Sequence, residues 1–569
     1  MSLLGLFDRP GPRWFNIPAH RPFAEDLARG LYEALAPGGP DALSQAVVLT
    51  PTRRGARALA DAFIAAAGGR AVLPPQIRPV GDLDEGEPPF EPGDLALDLP
   101  PAIEPLRRRF ELMRLVKANE AMLDRELDAA SVLELAEALG GFLDSLQIEE
   151  IDPSGGLADL VDADLAAHWR ISREFLEKAL EEWPRRLDAL GVADVSARRV
   201  ALLQRLAARW DEAPPTGVLI AAGSTGTAPA TARLLAVIAR APKGCVVLPG
   251  LDQNLADEAW AKVEEQHPQG ALRRLLERAG ADRSAVREWP ASASLDTQGR
   301  WRRRVVNEAL RPAEATADWL TVIETLRKEG EKDRVDAIAE GLKGLSLATA
   351  RNEEEAATIA ALLLRETLET PERTAALVTP DRALARRVTL KLARWGVVPD
   401  SSAGYALAGA RCAVLAGLVA DAAVDPFDPV TLLGLLKHPL VRLGLAPDDL
   451  AARRDLLEVA ALRGARRRSW AALEAAARKA KVAADVDAAL DLLARLRTAL
   501  EPLAVVNAAD EAPPADAARA VTTVMETLAA DPSGFPRLEG IVHPLVAADR
   551  ADFIARHAAA PIVVLDIPL

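Results

Sequence analysis

Short apolar runs that end in small-residue turns and lead straight into helical patterns set the strongest limit on this chain. They are WFNI (Trp14–Ile17), AVVLTP (Ala46–Pro51), GVLIAAGS (Gly217–Ser224) and GCVVLPG (Gly244–Gly250), with IRPV (Ile77–Val80) beside them. Runs this short, bounded by Pro, Gly or Ser, read as buried strands. From about Leu106 to Trp210 the pattern is instead helical throughout, as in RRRFELMRLVKANEAML and LAAHWRISREFLEKALEEWPRRLDAL. The expectation is one α/β sheet formed by residues 1–105 and 211–340, interrupted by a helical insertion at 106–210. Pro-rich GEPPFEPGDLALDLPPAIEP (Gly86–Pro105) marks a loop or boundary.

A second α/β block is expected over residues 341–425, and residues 426–569 read as helical again. In the second block, LSLATA and TAALVTP are expected as strands around the helix NEEEAATIAALLLRETL, with ALARRVTLKLARWG as the next helix. The first helix has an apolar face of Ala356, Ile359, Ala360 and Leu363, expected to pack on the sheet. Its leading acids, Glu353–Glu355, read as a solvated first turn that suits the helix dipole, not as a metal site.

Composition narrows the function classes. A chain of 569 residues, half of them hydrophobic and 27% charged, is long enough for several domains with large cores. No apolar run approaches the roughly 18 residues that span a bilayer, and the opening MSLLGLFDRPGPRW does not read as a signal peptide. A cytoplasmic, nucleoid-associated location is expected, with no membrane partner. Two cysteines, Cys245 and Cys412, are too few for a four-cysteine zinc site or an iron–sulfur cluster. The net charge of −14 argues against a nucleic-acid-coated protein but leaves room for a local basic patch.

Three stretches carry chemistry. In VVLTPTRRGARALADAF (Val47–Phe63), a buried strand ends in Thr50, Thr52, Arg53 and Arg54 just before a helix. Hydroxyls and cations at a helix N-terminus suit a DNA phosphate, although a solvated turn with two surface arginines has the same sequence. The strand–loop–helix at RWFNIPAHRPFAEDLARGL has the order of a phosphate-binding loop, but lacks the Gly-x-x-x-x-Gly-Lys-Ser/Thr that cradles phosphates. His20 and Arg21 stand in that loop. GVLIAAGSTGT places Gly223 and Ser224 where a strand-end carboxylate pair would hold magnesium, and GCVVLPGLDQN ends in Asp252-Gln253.

Taken in order, these segments resemble superfamily 1 helicases of the UvrD/RecB type. Val47–Phe63 is similar to their motif Ia, with Thr50, Thr52 and Arg54 at its Thr, Thr and Lys. Asp252-Gln253 is similar to their γ-phosphate-sensing loop, displaced by about one residue. The fold this implies is α/β, with two RecA-like domains carrying large helical insertions and a first nucleotide site that is degenerate. More specifically, FNIPAHRPFAEDLARGL, VVLTPTRRGARAL, IRPVGDLDE, LAAHWRISREFLEKALEEWP, IAAGSTGTAPATARLLAVIARAPKGCVVLPGLD, HPQGALRRLL and LLKHPLVRLGL are together similar to the B subunits of AddAB helicase–nucleases in their alphaproteobacterial form.

The resemblance implies a non-motor subunit of an ATP-dependent machine for double-strand break repair. An inactive helicase-like body would bind the unwound single strand and scan it for a recombination hotspot. An A-type motor subunit would be its heterodimer partner, and single- and double-stranded DNA ends its substrates. Family members are about twice as long and end in a nuclease domain with an iron–sulfur cluster and magnesium. Neither its Gly-x-x-Asp-Arg-Ile-Asp signature nor a four-cysteine set occurs here, so this chain is expected to be an N-terminal portion without cofactors, ATPase or nuclease activity. Two alternatives stay open: a protein–protein scaffold that makes no DNA contact, and a divergent active ATPase. The triplets Arg107–Arg109, Arg302–Arg304 and Arg466–Arg468 read as charged helix faces, and Trp301 and Trp470 as core residues, ahead of a DNA patch with stacking aromatics.

Overall fold

The computed structural model describes residues 7, 11–38, 40–80, 98–123, 126–152, 167–292, 297–404, 406–479, 482–509 and 512–530. The chain divides into two compact units, Met1–Leu347 and Ala348–Leu569. Much of the Pro-rich stretch before Pro105, and the closing PIVVLDIPL, lie outside the described residues.

The first unit begins with β1 (Trp14–Ile17), α1 (Phe23–Leu35), α2 (Pro40–Ser44), β2 (Val47–Thr50), α3 (Arg53–Ala66) and β3 (Gln76–Pro79). Helices α4 (Pro105–Ala118), α5 (Ala129–Ile148), α6 (Ala167–Leu190) and α7 (Val195–Glu212) intervene before β4 (Leu219–Ala222), α8 (Pro229–Arg240) and β5 (Gly244–Pro249). The unit continues through α9 (Asp257–Trp260), α10 (Gly270–Ala279), β6 (Arg287–Glu288), α11 (Thr297–Ala309), α12 (Trp319–Asp333) and α13 (Ala337–Leu342). The six strands form one sheet in the order β3-β2-β4-β5-β1-β6. Every pairing is parallel, with Phe15 opposite Val247, Ala221 opposite Val246 and Leu49 opposite Ala221. The expected strands near Trp14, Val47, Val218 and Val246 thus share one sheet.

The apolar runs follow from this arrangement. Parallel strands are covered on both faces, so alternate residues feed two cores. Trp14, Leu49, Ala221, Val246 and Leu248 face α7, α8 and α10. Phe15, Ile17, Val48, Ile220, Cys245 and Val247 face α1, α3 and Trp289. The second face is tight. A Cβ on Gly30 would come within 2.5 Å of the Trp289 indole nitrogen, which donates to Asp26 O at 2.9 Å.

The helices between β3 and β4 have a core of their own, in which Leu112, Leu115, Val132, Leu139, Phe175 and Trp183 meet. Helix α7, read from sequence as the end of this insertion, belongs instead to the sheet's helical layer. Its Leu203, Leu206 and Trp210 pack with α8, and periodicity alone does not say which neighbour an apolar stripe will choose. Arg108 departs from the expected charged helix face. Its guanidinium is largely buried and binds both Asp194 and Asp144. Burial alone would lower its pKa, but the two carboxylates outweigh that and raise it.

The second triplet also does structural work. Trp301 is buried with Leu326 and Ala337. Arg302 donates to Gly341 O at 3.0 Å, and Arg304 pairs with Glu329 at 3.1 Å.

In the second unit, α14 (Glu353–Thr367) and α15 (Arg382–Ala393) pack through Ala357, Ala361, Val388 and Leu392. The buried stripe is therefore Ala357/Ala361, with Ala360 of the expected face packed beside it, while Leu363 is exposed. The expected strands at LSLATA and TAALVTP do not form, and no strand occurs among the described residues of this unit. A strand is stabilised by its neighbour's backbone, and among the described residues no backbone hydrogen bond joins either segment to a neighbouring strand. The Glu353–Glu355 acids form the expected exposed first turn, and each also has a cation beside it. Glu353 pairs with Arg387, Glu354 with Lys391 and Glu355 with Arg351.

These pairings hold the Glu354 and Glu355 carboxyls below their ordinary value, through the Lys391 and Arg351 hydrogen bonds respectively. A depressed carboxyl stabilises the fold above its unfolded pKa and stops doing so as pH falls through the folded one. The α14–α15 pair is thus expected to loosen as pH drops below the ordinary glutamate value of 4.5, while neutral pH leaves it unchanged. Amide exchange along α14 between pH 7 and pH 3, corrected for intrinsic rates, checks this; flat protection would refute it.

Helices α16 (Arg411–Val424), α17 (Pro429–Lys437), α18 (Pro447–Leu457), α19 (Trp470–Ala477), α20 (Ala483–Asn507) and α21 (Pro514–Ala529) share a core. Leu415 and Val419 of α16 belong to it, so the helical body starts before residue 426. Trp470 packs edge-on against Phe427, with ring centroids 5.4 Å apart. Arg466–Arg468 lie in the loop before α19 rather than on a helix face, and Arg466 pairs with Asp425.

Candidate functional site

The carboxyl ends of β1, β2, β4 and β5 converge on one edge of the sheet, where open α/β sheets bind ligands. Each loop there is set by identifiable side chains.

After β1 the chain turns at once, with Arg21 N–H donating to Pro18 O at 2.9 Å. Pro18 and Pro22 have no N–H to offer an anion. Arg21 makes a two-pronged pair with Asp26 of α1, at 2.7 and 2.9 Å, and Arg29 joins the same carboxylate. Asp26 is fully buried. The first turn of α1 therefore carries its own acids, Glu25 and Asp26, where a phosphate would need positive potential.

After β4, Gly223 has φ of +79° and lies under the Phe23 ring, to which an added Cβ would come within 3.4 Å. Its N–H donates to Val247 O at 3.0 Å. Ser224 Oγ accepts from Gly226 N–H at 3.3 Å, so the turn closes on itself. After β5, a Cβ on Gly250 would come within 3.0 Å of Ala19, so the β1 and β5 loops touch.

Asp252 and Gln253 are engaged in the fold. Asp252 is buried, and its Oδ1 accepts from the N–H groups of Asn254 and Leu255 at 2.8 and 3.0 Å. Gln253 Nε2 donates to Val286 O at 2.6 Å, and its Oε1 accepts from Asn16 at 3.1 Å. Asn16 also holds Leu251 by both backbone groups, at 2.8 and 3.0 Å. Gln269 completes the latch between the Asp252 N–H and the Gly250 carbonyl. Sequence reasoning missed Asn16, although an Asn inside an apolar strand signals a buried polar group that must find partners.

The loop after β2 is different. Thr50 is buried and donates to Thr52 O at 3.3 Å. Thr52 caps α3 by accepting from Gly55 N–H at 3.0 Å. The first turn of α3 holds no acid, and Arg53, Arg54 and, one turn on, Arg57 are exposed. Beyond β5, a polar hollow of about 700 Å³ is lined by Gln253, Trp260, Arg273 and Arg283, among others. Arg283 covers the Trp260 ring at 4.7 Å and pairs with Asp257 at 2.5 Å. Cys245 is no nucleophile, since burial in β5 pushes its thiol up to about 12.

Among the described residues, no group of three His, Cys, Asp or Glu could hold a metal, and no helix is long and apolar enough to cross a membrane.

No protein-family profile matches the chain. Short local likenesses occur to dephospho-CoA kinases. The Cereibacter sphaeroides protein is 67% identical over 42 residues, which is 7% of this chain and 21% of that protein. Those of Jannaschia sp. and Rhizobium etli are 55% and 57% identical over 42 and 44 residues, each 7% of this chain and 22% of the relative. The chain thus spans about a fifth of the length of the curated relatives it matches. A likeness this short carries neither a fold nor an activity to the whole.

Proposed function

We propose that this chain is a helicase-like body without an ATP engine of its own, which binds unwound single-stranded DNA beside an A-type motor subunit in an AddAB-like complex for double-strand break repair. The observation that carries the reading is the first turn of α3. There Arg53 and Arg54 are exposed beside a capped helix N-terminus, at the ligand-binding edge of a parallel sheet. The strand order supports a RecA-like first domain, since β1 lies between β5 and β6 with its loop against the β5 loop. The occupied loops after β1, β4 and β5 support a degenerate nucleotide site. The reading takes α14 and α15 as the start of a second RecA-like domain, and the helical body that begins with α16 as its insertion. Both of those belong to the resemblance rather than to the sheet.

Salt dependence of single-strand binding tests it. Each phosphate contact lowers log K by about 0.7 per tenfold rise in salt on a single strand. Replacing Arg53 and Arg54 with Ala is expected to remove roughly one to two contacts from that slope and to weaken all sequences alike. Fluorescence anisotropy with labelled oligonucleotides reads both. An unchanged slope would make the turn a solvated strand end and move the scaffold reading ahead, with the net charge of −14 in its favour.

A further inference from the structure

Helix α5 ends in a left-handed turn that a glutamate occupies. Glu150 N–H donates to Gln147 O at 3.2 Å and Ile151 N–H to Leu146 O at 2.9 Å, the bonding that closes a helix around one left-handed residue. That residue is Glu150, with φ of +56°, where glycine ordinarily stands because a Cβ adds strain. The carboxylate has a use that glycine lacks. Arg233 of α8 donates to both Glu150 oxygens at 2.5 Å. Next to it, Glu149 faces Arg278 of α10 at 3.7 Å, and Arg278 also donates to Thr227 O at 2.8 Å. Helices α8 and α10 cover the sheet, whereas α5 belongs to the separate core of the insertion. One turn back on α5, a second junction begins. Gln147, Trp183 and Arg108 meet Asp194 at the start of α7, and Ser196 of α7 meets Asp144. Asp194, at its centre, is buried. The side chains of the first junction are between 22% and 48% exposed.

We propose that Glu149 and Glu150 form a releasable clasp, which holds the helical insertion against α8 and α10 and, when opened, lets it swing about the Asp194 junction. Half-exposed ion pairs are screened by salt and weak one by one, so a clasp built from two of them opens under conditions that leave both cores folded. Its opener is any anion that competes for Arg233 and Arg278. Backbone strain at a non-glycine residue gathers at clamps and switches, and persists where the surroundings hold it. Here the Arg233 pair is what holds it. The pivot differs in kind, because the carboxylate at its centre is buried and shared by three insertion helices and α7. This inference does not rest on the DNA-binding reading.

Distances between two spin labels, read by pulsed electron resonance, test it. The labels go on Arg185→Cys in α6 and Ile64→Cys in α3, both exposed positions. The full chain is used, with exposed Cys412 replaced by Ser and Cys245 left buried. At low salt one narrow distance is expected. At about 1 M salt, where screening acts beyond about 3 Å, the distribution is expected to be about twofold wider. Glu150→Gly is expected to give the wide distribution already at low salt. Glycine suits the left-handed turn better, so amide protection along α5 should hold or rise in that variant. Exchanging the charges, with Glu150→Arg and Arg233→Glu together, is expected to restore the narrow distance. A distribution that neither salt nor Glu150→Gly widens would overturn the proposal and leave Glu150 as a helix end only. So would a width that the charge exchange fails to narrow. Widening that comes with loss of protection along α5 would overturn it too, because the insertion would then be melting rather than swinging.

Discussion

Replacing Asp194 with Ala is expected to unfold the helices inserted between β3 and β4, at a cost of about 3–5 kcal/mol. Asp194 is 1% exposed and takes hydrogen bonds from three directions. Trp183 Nε1 donates at 2.8 Å from α6, Gln147 Nε2 at 3.0 Å from α5, and Arg108 approaches at 2.7 Å from α4. Its other role is local, because it also accepts from Val195 N–H at 3.0 Å and caps α7. Alanine therefore leaves a buried indole N–H without that acceptor, a guanidinium with Asp144 as its remaining carboxylate, and a helix uncapped, a loss worth about 1 kcal/mol by itself. Asn at this position keeps the shape and one acceptor but removes the charge, so it should fall between the two. Urea unfolding followed by tryptophan fluorescence gives the midpoints, and Trp183 lies within the affected core. A shift of less than about 1 kcal/mol for the Ala variant would mean that the apolar contacts of α4, α5 and α6 hold the block without the hub.

What could be read from sequence, and what could not, divides along the range of the interactions. The strands at Trp14–Ile17, Val47–Thr50 and Gly244–Pro249 were legible because both of their faces are covered, which leaves an unbroken apolar run between turn residues. Helix α14 was legible from its apolar periodicity and acidic first turn, both local signals, and the structure adds the Asn352 cap. Its buried face was not, because Ala357 and Ala361 are chosen by α15 rather than by a sheet. The strands LSLATA and TAALVTP were legible as propensity and absent as structure, since a ladder needs a second strand that propensity does not supply. Asn16 holds a loop 235 residues away, and no periodicity reports such a bond. Asp252-Gln253 had the residue types of a phosphate sensor. Whether those types face a ligand or a carbonyl is decided by Asn16, Val286 and Gln269, and so only by the folded chain.

The same distinction governs the loop after β1, where the second large effect is expected. Replacing Asp26 with Ala should destabilise the first unit by about 3 kcal/mol and should not create a nucleotide site. The cost arises because a fully buried carboxylate holds Arg21, and Arg21 is itself largely covered. The figure sits at the low end for a broken buried pair because Arg29, the second partner, is nearly half exposed and can rehydrate. Removing the acid frees positive potential at the N-terminus of α1, which on charge alone would favour an anion. Space and donors oppose it. Phe23 lies over Gly223, Ala19 touches Gly250, and the two prolines of the loop offer no N–H. A fluorescent ATP analogue titrated into the wild-type and Asp26→Ala chains, with and without magnesium, is therefore expected to show no saturable binding in either, while thermal unfolding separates the two. Saturable binding by the wild-type chain would show that the loop works as a phosphate site despite its pairing, and the reading of a body without an engine would fall. Binding gained only by the variant would leave that reading standing and identify Asp26 as the group that keeps the site closed.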